Sequence, residues 1–102
     1  MSEATIQRDA TGRLRVSGVM SLRTVPQLWR ASEELIRDAE RVEIDLRGVS
    51  RSDSAGLALL VQWMRQARHA GKEVRFLNIP RQMLAIARVS SLDRILPLAR
   101  AN

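Results

Sequence analysis

The chain has 102 residues, 45% hydrophobic, with 17 Lys+Arg against 11 Asp+Glu and no cysteine. That length suits one hydrophobic core, and the apolar fraction is that of a folding chain rather than a disordered one. Absence of cysteine removes disulfide scaffolds, thiolate metal sites and cysteine nucleophiles. The longest apolar stretch, residues 57–61, is far short of the roughly 20 residues that cross a bilayer. Residues 1–5, Met-Ser-Glu-Ala-Thr, have neither the basic region nor the apolar core of a signal peptide. The expectation is a small, soluble, cytoplasmic chain forming a single domain over residues 1–102.

Charge is uneven. Residues 1–51 hold nine Arg and eight acids, whereas residues 52–102 hold seven Arg, one Lys and three acids. A basic half suits nucleic acid, an anionic membrane surface or an acidic protein. The cations are scattered singly, however, and one Phe with two Trp leaves little for stacking on bases. Nucleic acid is therefore not the expected partner.

Residues 4–8 and 13–17 alternate weakly around Asp9-Ala10-Thr11-Gly12, which predicts a β-hairpin. After a loop over residues 18–24, Thr24-Val25-Pro26 reads as a helix start with Thr24 as cap. Leu28, Ala31, Leu35 and Ala39 then recur at spacings of three and four, with Trp29 and Ile36 beside them. They predict an amphipathic helix to about Glu40, with Trp29 in its core face. Residues 41–46 alternate polar and apolar as a half-buried strand, and residues 48–52 read as a loop. Ser52-Asp53-Ser54 supplies three cap-capable side chains before a helix over residues 54–70, which Gly71 stops. Residues 73–78 predict a strand, and Ile79-Pro80 opens a third helix burying Met83, Leu84, Ile86 and Ala87, with Val89 a further candidate for the same side. Ile95-Leu96-Pro97-Leu98 reads as a short edge strand or a packed tail. The alternation predicts an α/β fold, a small mixed sheet of about four to five strands covered by about three helices.

Most of this is packing; residues 45–57 carry more. They run from a strand end into a helix N-terminus, where ligands and partners usually bind in an α/β sheet. Asp53 and Ser54 suit the unpaired N–H groups of the helix start. Ser54 lies at the positive end of the helix dipole, where a phosphate is tolerated. An ordinary cap reads the same way. Gly56 in the first turn costs helix propensity, which implies that something approaches the backbone closely. The GxxxxGK[ST] pattern of a phosphate-binding loop is absent.

The string D-L-R-G-V-S-R-S-D-S-A-G-L over residues 45–57 resembles the signature of the STAS domain family. There a strand ending in D-L-x-x-[VL] leads to D-[ST]-[STAG]-G-L at a helix start. The resemblance takes in the hairpin ending at Val16-Ser17-Gly18, the Thr24-Val25 helix start, the strand before Asn78 and the Pro80 helix. The longer V-S-R-S-D-S-A-G-L-A-L-L is similar to the branch that serves the Mla phospholipid-transport ABC complex. That resemblance implies a subunit at the bacterial inner membrane, binding an ABC ATPase and tuning its activity, with Ser54 in the contact. The other branch, the anti-sigma factor antagonists, implies that Ser54 is a phosphorylation site. Antagonists usually carry an apolar residue before the Asp and a further Ser or Thr after the phosphorylated residue; here these are Ser52 and Ala55. Their G-E-L-D first loop is Gly18-Val19-Met20-Ser21 in this chain, without either acid. They also tend to have a C-terminal helix, whereas this chain stops soon after Leu98. These departures favour the transporter branch.

In the helix over residues 54–70, Leu57, Leu60, Val61, Met64 and Ala67 are expected to face the sheet. Leu59 and Trp63 lie on another side. They read either as a second core contact against the helix of residues 25–40 or as an exposed patch with Trp63 as anchor. Arg51, Gln62, Arg65 and Arg68 would rim such a patch. Met20, Met64 and Met83 read as core filling. His69 has no neighbouring ligand or base partner, and it stands about four turns along the helix from Ser54, so no Ser-His-Asp set assembles. Asp45 and Asp53, at opposite ends of one loop, are close enough in sequence to meet, but their strand-end and cap roles account for both. The expected function is non-enzymatic and needs no cofactor or metal. The partner is the ATPase of an ABC transporter, met through Arg51, Ser52, Asp53, Ser54, Leu59 and Trp63.

Overall fold

The computed structural model describes residues 4–99; residues 1–3 and 100–102, where part of the N-terminal reading falls, lie outside them. Five strands form one sheet in sequence order: β1 (Ala4–Arg8), β2 (Leu14–Met20), β3 (Val42–Ser52), β4 (Val74–Leu77) and β5 (Leu98–Ala99). β1 and β2 are the expected antiparallel hairpin, with Ile6 opposite Val16, and the other pairs are parallel. Between the parallel strands run α1 (Val25–Asp38), α2 (Ser54–His69) and α3 (Arg81–Val89), the last followed by a single 3-10 turn over Leu92–Arg94. Neighbouring parallel strands joined by right-handed crossovers put each connecting helix on the same face. α2 accordingly packs between α1 and α3. This is the predicted mixed α/β sheet with its helical cover.

The core lies between the two layers. Leu14, Val16, Ile44, Leu46 and Phe76 meet Leu28, Ile36, Leu57, Leu60 and Met83, all buried, and Met20 and Met64 fill the space between them. The other sheet face is polar. Arg15 pairs with Asp9 at 2.8 Å, and Arg13 lies 3.9 Å from Glu43. Asp9 accepts from the Thr11 hydroxyl and the Arg15 guanidinium, which hold its carboxyl well below the ordinary value.

Five local expectations change. First, residues 48–52 are not a loop but the second half of β3. Gly48, Val49, Arg51 and Ser52 align with Ser17, Gly18, Val19 and Met20, with register shifts between Arg15 and Ser17 and between Gly18 and Val19. Pairing with β2 supplies the hydrogen bonds that a turn would have made locally, and the irregularities bend the ribbon. Second, the buried row of α1 is Leu28, Ser32 and Ile36, while Ala31 is exposed and Leu35 half-buried. Third, Thr24 precedes α1, but its hydroxyl makes no cap. It donates to the Val19 carbonyl at 2.7 Å and accepts from the Ser21 N–H at 2.9 Å, tying the β2–α1 turn to itself. Fourth, Trp29 is half-buried rather than enclosed. Fifth, α3 buries only Met83 and Ala87, with Leu84 and Ile86 half-buried and Val89, at the helix end, exposed.

Helix ends are finished by different means. α2 ends as expected, with Gly71 at φ 73°, a conformation most side chains resist. The Gly71 N–H reaches the Arg68 carbonyl at 2.9 Å and the Lys72 N–H the Ala67 carbonyl at 2.8 Å, a Schellman motif. α1 lacks such a glycine. Its last carbonyls are taken by cations from elsewhere: Lys72 Nζ on Ile36 at 3.0 Å and on Arg37, and Arg8 on Leu35 at 3.1 Å. Positive charge at a helix C-terminus also suits the dipole.

Candidate functional site

The informative segment forms the corner where β3 hands over to α2. Asp53 has an extended backbone, and its carboxylate accepts from the N–H groups of Ala55 at 2.8 Å and Gly56 at 3.4 Å. Its own N–H donates to the Met20 carbonyl at 3.1 Å, locking the helix start onto the end of β2. Gly56 is needed for close approach. A Cβ there would stand 2.1 Å from Ser52 Oγ and 3.0 Å from Met20 Cβ. What approaches the backbone is thus the protein's own β2–β3 ribbon.

Ser52, expected at the partner surface, is buried. Its N–H donates to Gln82 Oε1 at 3.0 Å and its carbonyl accepts from Gln82 Nε2 at 2.6 Å. A single side chain from α3 thereby replaces a missing strand neighbour beyond the end of β4. Nothing in the spacing of residues 52 and 82 announced this clamp. Ser54 and Arg51 flank the corner and are exposed. The Ser54 hydroxyl, in the first turn of α2, has no hydrogen-bond partner among the described residues. A groove of about 600 Å³ passes the corner, lined by Val19, Met20, Ser21, Arg51, Ser52, Asp53, Ser54, Gln82 and Ile86.

The exposed Leu59/Trp63 stripe does not exist. Leu59 is 2% exposed and Trp63 0%, because α1 covers that side of α2. The Trp63 indole N–H donates to Ser32 Oγ at 2.8 Å, and Ser32 Oγ donates to the Trp29 carbonyl at 2.8 Å. A buried indole needs an acceptor, which explains a serine in the apolar row of α1. Of the two readings open for Leu59 and Trp63, core contact holds.

The aromatic at the surface is instead Trp29. With Val25 and Pro26 of α1 and Ala58, Leu59 and Gln62 of α2, it lines an apolar depression of about 390 Å³. Ser54, Ala58 and Gln62, four residues apart and all exposed, run up one outward row of α2. The row joins the corner to the depression. Arg51, Asp53 and Ser54 therefore belong to one continuous surface, with Leu59 only at the floor of the depression.

Asp45 is far from the corner. It is buried on β3, and its Oδ1 accepts from the Arg47 N–H at 2.9 Å and from Asn78 Nδ2 at 3.0 Å. Burial pushes its carboxyl up, but these two bonds, with Arg47 and Arg15 nearby, leave it below the ordinary value. Extended chain at about 3.3 Å per residue puts Asp53 roughly 25 Å from Asp45, so the two carboxylates do not meet. Among the described residues no three His, Cys, Asp or Glu side chains are grouped to hold a metal, and no helix is long and apolar enough to cross a membrane.

A five-stranded mixed sheet with helices on one face, and an Asp-capped helix whose first serine is free at the strand edge, defines a STAS-type domain. The chain belongs to the family described as "Mlab, STAS domain", whose profile it matches over residues 4–97. Solved structures share the fold. An anti-sigma factor antagonist from Mycobacterium paratuberculosis superposes with a TM-score of 0.78 at 22% identity, covering 95% of this chain and 86% of that one. A STAS-domain anti-sigma-factor antagonist from Planctomyces limnophilus gives 0.74 at 17%, covering 97% and 91%. The antagonist SpoIIAA in its unphosphorylated form gives 0.73 at 16%, covering 97% and 88%. No curated protein sequence matches the chain.

Proposed function

We propose that this chain is a non-enzymatic subunit that docks on the ATPase of an inner-membrane ABC complex for phospholipid transport. There it would support assembly, tune ATP turnover and so serve outer-membrane lipid asymmetry. It acts as one STAS-like unit in the cytoplasm and reaches the membrane only through that complex. One observation carries the reading: in a chain of the MlaB-type family, Trp29 stands half-exposed in an apolar depression that continues into the Ser54–Ala58–Gln62 row. A large aromatic on an apolar floor with a polar rim is the make-up of a protein docking site. Arg51 and Arg65, both exposed, offer cations to acids on the partner. Leu59 forms part of the floor, Trp63 fixes α1 against α2 so that Trp29 stays outward, and Ser52 steadies the corner from inside. Arg51, Asp53 and Ser54 make the contact.

The test is co-purification of the cognate ATPase with tagged wild type and with Ser54→Arg. Loss of the ATPase from the variant is expected. Undiminished recovery contradicts docking at this corner.

A second reading, an anti-sigma factor antagonist switched at Ser54, is favoured by the free Ser54 hydroxyl. A phosphate there would sit at the positive end of α2. The acid-free loop Gly18-Val19-Met20-Ser21 argues against it. Mass spectrometry after incubation with candidate kinases separates the two: stoichiometric phosphate on Ser54 that reverses a complex supports the antagonist.

A further inference from the structure

The helical layer is divided in charge. α1 mixes Arg30 and Arg37 with Glu33, Glu34 and Asp38, and Arg37 lies 3.5 Å from Glu34 and 3.4 Å from Asp38. α2 and α3 contain Arg65, Arg68, Arg81 and Arg88 and no acid at all. Arg94 follows in the 3-10 turn, next to the half-buried Asp93. These five arginines are exposed, and among the described residues none has an ion-pair partner. Compensation of helix dipoles accounts for Arg68 and Arg88, which sit in last turns, but not for Arg81, which opens α3 at its positive end. Bare aliphatic surface lies among the cations. Val89, next to Arg88, is 89% exposed, and Ile95, next to Arg94, is 55% exposed. Between α2, β4 and the segment leading into β5, a notch of about 290 Å³ is lined by Met64, Val74 and Pro97 together with Arg68, Glu73 and Arg75.

We propose that this α2–α3 face is a second docking surface and that its partner is an acidic protein segment bearing aliphatic side chains. The inference goes beyond the ATPase reading and does not depend on it. Arginine presents a planar fork that takes carboxylates two bonds at a time. The notch, at about 290 Å³, has room for a leucine or valine side chain. A bilayer is the poorer fit: interfacial helices anchor through Trp, Phe or a broad apolar face. Here the aromatics are Trp29 on α1 and the buried Trp63 and Phe76. Nucleic acid is poorer still, since no ring on this face can stack on a base.

The experiment measures fluorescence anisotropy of a short labelled peptide of repeating Glu-Leu-Glu on the full chain. Phosphatidylglycerol vesicles and a DNA duplex serve as competing probes. Arg81→Glu/Arg88→Glu is expected to weaken peptide binding by about tenfold, and Val89→Asp by severalfold. Arg81→Glu puts an acid at a helix start, which favours α3, and Val89 is too exposed to matter for folding. Arg30→Glu, reversal of a single arginine on α1, is expected to leave binding as it is. Failure to bind the peptide overturns the proposal, as does equal weakening by Arg30→Glu. Tighter binding to vesicles or DNA with the same sensitivity to Arg81 and Arg88 overturns it in favour of those surfaces.

Discussion

Replacing Ser32 by Ala tests how α1 and α2 are held together. Ser32 and Trp63 are both 0% exposed, and the 2.8 Å bond between them is the only one the indole N–H makes among the described residues. Ser32→Ala removes the acceptor and leaves that donor stranded away from water. An unsatisfied buried donor costs about 1–3 kcal/mol. In a chain of this size each kcal/mol lowers Tm by roughly 4–8 °C. Trp63→Phe removes the donor as well, at the cost of lost volume, and leaves Ser32 its bond to the Trp29 carbonyl. The double variant should therefore lose less than the two single losses added, by about 1 kcal/mol. Thermal and urea unfolding followed by far-ultraviolet circular dichroism measure all three. Ser32→Ala within about 0.5 kcal/mol of wild type, with strictly additive double-variant losses, would refute the reasoning.

Gly56→Ala should destabilise by about 1–3 kcal/mol although alanine is the better helix former by about 1 kcal/mol, because its Cβ meets Ser52 Oγ; calorimetric Tm decides. Lys72→Ala removes the cation from the α1 carbonyls of Ile36 and Arg37 and should cost about 1 kcal/mol, read by urea unfolding at low and high salt. The lowered Asp45 carboxyl stabilises the fold above the ordinary value of 3.8, and that contribution fades as pH falls through its folded value. Wild type should thus exceed Asp45→Asn in stability at neutral pH, and the gap should close in acid. A gap unchanged down to full protonation contradicts the assignment.

Element order, the hairpin, the caps at Asp53 and Gly71 and the STAS signature were all readable from local pattern. They rest on short-range physics: alternation, helical spacing, and side chains that bond their own backbone. What pattern did not reveal was set by contacts distant in sequence. Residues 48–52 carry turn-prone Gly and Ser, yet pairing with β2 makes them strand. Gln82 completes the end of β3 from 30 residues away. Trp29, expected in the core face of α1, stands at the surface, and Trp63, open between core contact and anchor, is core. Each lies beside an apolar row, and periodicity alone does not say which flank a neighbouring helix covers. The clue was Ser32, a hydroxyl one residue off the expected row of α1, placed where a buried indole needs an acceptor. Of the six residues expected at the partner surface, Arg51, Asp53 and Ser54 are exposed, whereas Ser52, Leu59 and Trp63 are buried beneath it.

Docking through the Trp29 side is most directly tested by titrating the cognate ATPase with wild type and Trp29→Ala in a calorimeter. Truncating a central aromatic anchor costs about 2 kcal/mol or more, so affinity should fall by about 30-fold, measured at a temperature where the variant is fully folded. Unchanged affinity with a well-folded variant would contradict docking through this face.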